Sequence, residues 1–449
     1  MPKQRESEKT DKAGAAEPAD FTSEYSEDLP RLLKDLDISI AFTSYQAGRL
    51  MFVRSDGESI DVNFKAFRRP MGLTFTGSEL TLGTFTQLIN FRREDSLVAK
   101  LKLPLQSIED DITAPTLKKK NKPAPGQLEP TAEDISSETA LAPAGSAHPS
   151  GESSNDATLN SDSHDNGSNG EEVRLAERRA LIKQREAELH APVDSRVDSC
   201  FITRSSHYTG MINIHDVEWG DGDLWAVNSS FSCLCTFDPD YSFVPRWQPH
   251  FISELVPEDR CHLNGMALRD GQPAFVTTFS TFDEPGMWRK GEKFNGTLMR
   301  VADNKILIDG LAMPHSPRWY RDHVYFCNSG HGEVKRYSEK TEQVDTVAEL
   351  PGFTRGMDFY GSLLVVGLSK VRQSDVTSPA PLARKYDDTY SGLAFINLES
   401  GELIGTLSFV GNVDQIYDVA ILHDTTFPEF IEPGHPRLRN HFVHPGLIQ

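Results

Sequence analysis

The chain has 449 residues and a formal charge of −20 at neutral pH, with 66 acidic against 46 basic side chains. That balance argues against a nucleic-acid partner and against adhesion to an acidic membrane surface. No run reaches the roughly 18 apolar residues of a membrane helix, and the five cysteines, an odd number, read as free thiols of a reducing compartment. The opening stretch, MPKQRESEKTDKAGAAEPAD, lacks the apolar core of a signal peptide. The expectation is a cytoplasmic protein.

Residues 1–30 are charged and poor in aromatics, the composition of a disordered tail. At 26–37, SEDLPRLLKDLD carries leucines at helical spacing and predicts a short helix on the outside of the fold. Three short strands follow, IAFTSY, RLMFVR and SIDVNF, with the turns QAG and SDGE between them. A second set, MGLTF, ELTLGT and QLINF, is broken by a Pro/Ser/Asp/Glu-rich tract over 105–189. Such a tract cannot bury enough apolar surface to offset chain entropy, so a disordered acidic insertion is expected. Within it EEVRLAERRALIKQREAEL can form a charged helix, and DSCFITR then resumes the fold.

From Arg68 onward one plan recurs: a polar residue at the mouth of an apolar strand, a tight turn, and a second apolar strand ending in small polar residues. It is read in RRPMGLTFTGSELTLGT, IHDVEWGDGDLWAVNS, CHLNGMALRDGQPAFVTTF, PHSPRWYRDHVYFCNS, FTRGMDFYGSLLVVGLS and IYDVAIL. Apart from the insertion the steps are about 39 to 63 residues, the period of propeller blades. The fold class is therefore all-β, a six-bladed β-propeller over 31–104 and 190–425, with a C-terminal tail over 426–449. The first three strands have no innermost strand, and YDVAIL has no successors. Pairing 41–64 with 417–422 completes a blade and closes the ring without edges. Strand direction puts the two longest loops within blades, 280–296 and 370–392, beside the mouth, where ordered loops tend to carry function.

In this register one position reads Met71, Asp216, Asn264, Ser316, Arg355 and Asp418. Oxygens of Asp216, Asn264 and Asp418 turned toward the axis suit one divalent cation: Ca²⁺, Mg²⁺ or Mn²⁺. His215, His262 and His315 fall one or two places earlier in three successive blades. Their recruitment would move the preference toward Zn²⁺ or Fe²⁺, and one of them could serve as general base. Arg355 would grip a substrate carboxylate or phosphate, or neutralise Asp216 and Asp418. The same residue types also cap turns at strand mouths. Second-strand ends add Ser44, Tyr45, Asn228, Ser229, Asn328, Ser329 and Ser369, either a polar wall or turn chemistry. No CxxC pair, HExxH or nucleophile elbow occurs.

The motifs FTSYQAGRL, RPMGL, IHDVEW, FSCLCTF, PHFISEL, EDRCHLNGMALRDGQP, MPHSPRW, NSGHGEV, RGMDF and QIYDVAIL together resemble a bacterial family of conserved hypothetical proteins. More distantly, the plan is similar to the six-bladed propellers of senescence-marker protein and the gluconolactonases. That resemblance implies a single divalent cation in the central channel, with Asn264 and Gly265 at the Asn-Gly blade opening and Asp216 and Asp418 at acidic ligand places. The added histidines, Arg355 in the ring and Met71 at the first position depart from it. Two function classes follow. One is a metal-dependent, hydrolase- or lactonase-like enzyme acting on a small polar or anionic molecule. The other is a non-catalytic module whose rim, with Trp288 and Tyr386, binds a ligand or a protein partner.

Overall fold

The structure, a computed structural model, describes residues 20–104, 176, 178–181, 183, 184, 187, 189, 191–290, 294–371 and 380–445. Most of the insertion expected over 105–189, and residues 1–19 of the tail, lie outside them. Two compact units are distinguished, one of 1–103 with 193–433, the other of 104–192 with 434–449. In the second, the described positions between 176 and 189 are helical, as the charged pattern predicts. There the Arg437 guanidinium donates to the carbonyls of Leu189 and Ala191, at 3.1 and 3.4 Å.

The first unit is the six-bladed β-propeller. Chain order begins with Ser23–Tyr25 (β1) and a helix, Leu29–Asp35 (α1). Strands Ile38–Ser44 (β2), Arg49–Ser55 (β3) and Ile60–Ala66 (β4) come next, then Leu73–Phe75 (β5), Glu79–Gly83 (β6), Gln87–Arg93 (β7) and Ser199–Tyr208 (β8). Ile214–Trp219 (β9), Leu224–Asn228 (β10), Cys233–Asp238 (β11) and Tyr241–Trp247 (β12) form one blade. Leu263–Arg269 (β13), Gln272–Thr278 (β14), Gly296–Arg300 (β15) and Lys305–Leu311 (β16) form the next. Pro314–Tyr320 (β17), His323–Asn328 (β18), Glu333–Ser338 (β19) and Gln343–Glu349 (β20) follow. The last in sequence holds Phe353–Tyr360 (β21), Leu363–Ser369 (β22), Ser391–Asn397 (β23) and Leu403–Phe409 (β24). Asp418–His423 (β25) and Pro428–Ile431 (β26) end the set.

The ring closes as the strand count requires. β25 pairs antiparallel with β2, Asp418 opposite Thr43 and His423 opposite Ile38, so the closing blade reads β25-β2-β3-β4. Innermost strands β5, β9, β13, β17, β21 and β25 contact one another in sequence around the axis. Cores lie between neighbouring blades: Phe42, Met51 and Val53 of the closing blade pack with Val365, Leu393 and Phe395 of the one before it. Leu29 and Leu33 of α1 are fully buried in that same cluster, with Pro30 in the first turn, where its missing N–H costs nothing. Period-2 alternation explains why such short strands suffice, since each presents one apolar side to each adjoining sheet.

Both expected tails need correction. β1, inside the 1–30 tail, adds a fifth strand to β24, with Glu24 opposite Ser408. β26, inside the 426–449 tail, runs parallel to β8. Its Phe430 stacks on Phe52 and Phe201, at 4.1 and 4.7 Å between centroids, and its Glu429 meets Arg54 at 3.2 Å and Lys65 at 2.9 Å. Each short strand is ordered by the sheet edge it covers, a benefit that local composition does not reveal. All five cysteines are buried and free, and burial pushes the thiols of Cys233, Cys261 and Cys327 up to about 12, which keeps them protonated and inert. Among the described residues no helix is long and apolar enough to cross a membrane.

Candidate functional site

The ring position first holds the blades together. Asp216 Oδ2 accepts from Met266 N at 3.0 Å, Ser316 Oγ from Gly356 N at 2.9 Å, and Asp418 Oδ2 from Leu73 N at 2.8 Å. In every case a side chain of one innermost strand takes a backbone N–H of the next. Asp358 repeats this deeper, its Oδ2 accepting from Ile421 N at 2.7 Å. Gly356 permits a close approach of two innermost strands: at φ 75°, a Cβ there would stand 2.7 Å from the Asp418 Cα.

Second-strand ends supply a matching set. Thr43 Oγ1 donates to Met71 O at 2.6 Å, Ser329 Oγ to Thr354 O at 2.6 Å, Ser369 Oγ to Ile416 O at 3.1 Å, and Ser229 Oγ to Leu263 O. The serines of the expected polar wall thus satisfy the carbonyls with which the next blade begins.

Below the mouth, Arg318 occupies the axis. Its Nη1 donates to Asp216 Oδ2 at 2.8 Å and its Nη2 to Asp216 Oδ1 at 3.0 Å, with Asp418 Oδ1 at 3.5 Å. Burial opposes its charge, yet Asp216, Asp418 and Glu218 hold its pKa above the ordinary guanidinium value. On the acid side burial wins: Asp418 is pushed up to about 7 and Glu218 to about 8. Asn264 turns away, its Oδ1 accepting from Thr277 Oγ1 at 2.7 Å, and its Nδ2 is buried without a partner.

These contacts bear on the divalent cation. A hard ion needs carboxylate oxygens with free lone pairs gathered on one point. Here each oxygen of Asp216 and Asp418 already accepts from Arg318 or a backbone amide, and the Asn264 oxygen is committed to Thr277. Among the described residues no three His, Cys, Asp or Glu side chains are grouped to hold a metal. The residues present fit a guanidinium better than an ion. Arg318 stands two places after Ser316, but the β17 register shifts between His315 and Arg318 and Ser316 has a left-handed φ, so simple alternation does not assign its side.

The histidines do come together. His215 and His262 meet edge to face at 4.7 Å between centroids, and Phe279 contacts both His262, at 4.6 Å, and His315, at 5.1 Å. Each Nδ1 is engaged: His215 with Asn213 O at 3.1 Å, His315 with Met313 O at 3.0 Å, and His262 with Asp259 Oδ1 at 2.9 Å. Backbone carbonyls and carboxylates only accept, so each bond fixes a proton on Nδ1, and in the neutral ring the lone pair is then on Nε2. Burial holds His215 and His315 well below the usual imidazole range, with Arg355 adding to it. Left-handed φ at Asn213 (54°), Asp259 (49°), His262 (52°), Met313 (52°) and Ser316 (49°) turns the chain sharply around this cluster. Non-glycine residues in that region are uncommon and gather where function needs a strained turn.

Arg355 completes the mouth. Its guanidinium lies over the Tyr417 ring at 3.4 Å from the centroid. No described carboxylate pairs with it, and burial draws its pKa down from the ordinary value, the reverse of Arg318. Both long loops reach this level. Trp288 stacks on His262 at 3.9 Å, while Leu382 and Tyr386 pack with Phe279 and Met313, beside Phe353, which touches His315 at 5.5 Å. Arg260 anchors the first loop, pairing with Asp283 at 2.9 Å and with Glu258 and Glu254.

Residues 27–115 and 165–431 match the family described as Domain of unknown function (DUF4915). The chain belongs to that family. No curated protein matches it. For this DUF4915 member the residues that sequence reasoning missed are Arg318 at the axis and Asp259 behind His262.

Proposed function

We propose that the mouth of this DUF4915 propeller binds a small anionic molecule, with Arg355 as its counter-charge. The observation that carries the reading is Arg355 itself, a cation inside the mouth, fixed on Tyr417 and without a carboxylate partner among the described residues. A desolvated charge is costly unless paired, and a bound carboxylate or phosphate would pair it in bidentate fashion. The three imidazoles, each offering Nε2, and the aromatic walls from Phe279, Trp288 and Phe353 suit an anion with polar substituents and some apolar body. The likeness to the gluconolactonase propellers extends to the blade plan and the acidic ring positions. The acidic ring positions that this resemblance would assign to a cation are in this chain bonded to Arg318.

Isothermal titration with inorganic phosphate and with a series of small carboxylates tests the reading. Wild type is expected to bind at least one of them, and Arg355→Met to lose that binding by tenfold or more while keeping its fold. Equal affinity in both proteins would remove Arg355 from the site. A second reading, a non-catalytic docking module, draws on one observation elsewhere. Tyr208 and Tyr241, 74% and 64% exposed, stand beside an open groove lined by Ser205, Ser206, His207, Pro239 and Asp240 on the flank of the propeller. Trp288 of the rim, by contrast, is turned inward on His262.

A further inference from the structure

His262 differs from the other two imidazoles in what stands behind it. His215 leans on a backbone carbonyl and His315 on a carbonyl and the Ser329 hydroxyl, whereas His262 Nδ1 faces a carboxylate, Asp259, at 2.9 and 3.1 Å from its two oxygens. That carboxylate is itself fixed: Oδ2 accepts from Trp288 Nε1 at 3.0 Å and from Arg289 Nη2 at 3.2 Å. The Trp288 ring in turn stacks on the imidazole, so the loop that orients Asp259 also limits rotation of His262. Left-handed backbone at both Asp259 and His262 brings the pair into register across only three residues. No described residue hydrogen-bonds to His262 Nε2. Its ring neighbours are His215, edge to face, and Phe279, tilted, the former also in contact with Tyr417 beneath Arg355.

We infer that His262 is the proton acceptor of this site, acting on a hydroxyl group of the bound anion, and that Asp259 is its positioning residue. The inference rests on the anion-binding reading above and adds chemistry to it. Nε2 takes the proton of an O–H bond, both electrons of that bond stay on the oxygen, and the Asp259 carboxylate holds the imidazolium that forms. A carboxylate on Nδ1 fixes the tautomer that leaves Nε2 unprotonated and steadies the charged ring, the two services a general base needs. The ligand class is then a small hydroxylated anion, its charge on Arg355 and its hydroxyl toward His262.

The test needs no identified substrate, since a free, basic Nε2 also attacks an electrophile. Full-length protein is treated with diethyl pyrocarbonate at pH 7.5 and the modified histidines are mapped by mass spectrometry. His262 is expected to react readily in wild type, about tenfold more slowly in Asp259→Asn, and within about threefold of wild type in Asp259→Glu. Nitrogen-15 spectra of the histidines supply a readout that a merely structural role would not move. They should show His262 protonated on Nδ1 alone in wild type and Asp259→Glu, and as mixed tautomers in Asp259→Asn. An unreactive His262 in folded wild type, or an unchanged rate and tautomer in Asp259→Asn, overturns the inference. Protection of His262 by inorganic phosphate, lost in Arg355→Met, belongs to the binding reading and can fail while the dyad stands.

Discussion

Arg318 grips both carboxylate oxygens of Asp216, at 2.8 and 3.0 Å, across 102 positions of sequence. The pair joins the blades of β9 and β17 through the axis, and Asp418 attaches a third. Acidic ring positions whose residue types would suit an ion are instead bonded to a side chain of the protein itself.

Replacing Arg318 therefore leaves two buried carboxylates without compensation. Arg318→Met is expected to cost about 3–5 kcal/mol of stability, read from urea unfolding. Asp216→Asn in the same background should recover part of that loss, because the two residues act as one unit. A stable Arg318→Met protein would show that the ring does not depend on the pair.

Glu218 sets a pH dependence. Burial pushes it up to about 8 from 4.5, and its Oε2 is buried without a hydrogen-bond partner. The folded state thus keeps a proton that the unfolded chain releases, so stability falls as pH rises from the ordinary glutamate range through about 8. Glu218→Gln removes that contribution. Melting temperatures of wild type should drop relative to the variant between about pH 5 and pH 8 and run parallel above that, whereas parallel curves throughout would place Glu218 in contact with water.

How much of this was readable beforehand depends on the range of the forces involved. Blade number and closure were legible because strand periodicity and turns are local, and YDVAIL stood as one strand lacking partners. His215 and His262 stood one and two places before the ring position in successive blades, so the sequence brought them to the same mouth without fixing that their rings meet. Arg318 was not legible, because the irregular register between His315 and Arg318 breaks the alternation that would assign its side. Whether its carboxylate neighbours take an ion or a guanidinium is decided by residues on three separate strands. Asp259 was hidden for another reason: only the left-handed turns at Asp259 and His262 make a three-residue spacing into a contact.

Thr43 tests the closure. Fully buried, it donates to Met71 O at 2.6 Å and accepts from Asp418 N at 3.1 Å, joining both ends of the fold to the adjacent blade. Thr43→Val keeps the shape and strands both groups, at an expected cost of about 1–3 kcal/mol. Hydrogen exchange should locate the loosening in β2 and β25. Uniform loosening across all six blades would point away from a local role.

Chelation gives the fourth prediction. With the oxygens of Asp216, Asn264 and Asp418 engaged by protein donors, dialysis against EDTA should move the melting temperature by less than about 1 °C. Stoichiometric metal in elemental analysis of wild type, absent from Asp216→Ala, would restore the oxygen-rich cation site.

The pairing of β2 with β25 has a consequence for how the chain reaches its fold. During synthesis Ile38–Ser44 emerges early, but its innermost partner, Asp418–His423, is among the last strands made. For most of translation the first three strands present an open edge of apolar, β-branched sequence, the kind of template that recruits strands of other molecules. Ring closure has to await the distant partner, so the final step should be slow, and association between molecules, which rises with protein concentration, has time to compete with it. Refolding yields would then fall steeply with concentration, and a chaperone that shields the early strands would protect them.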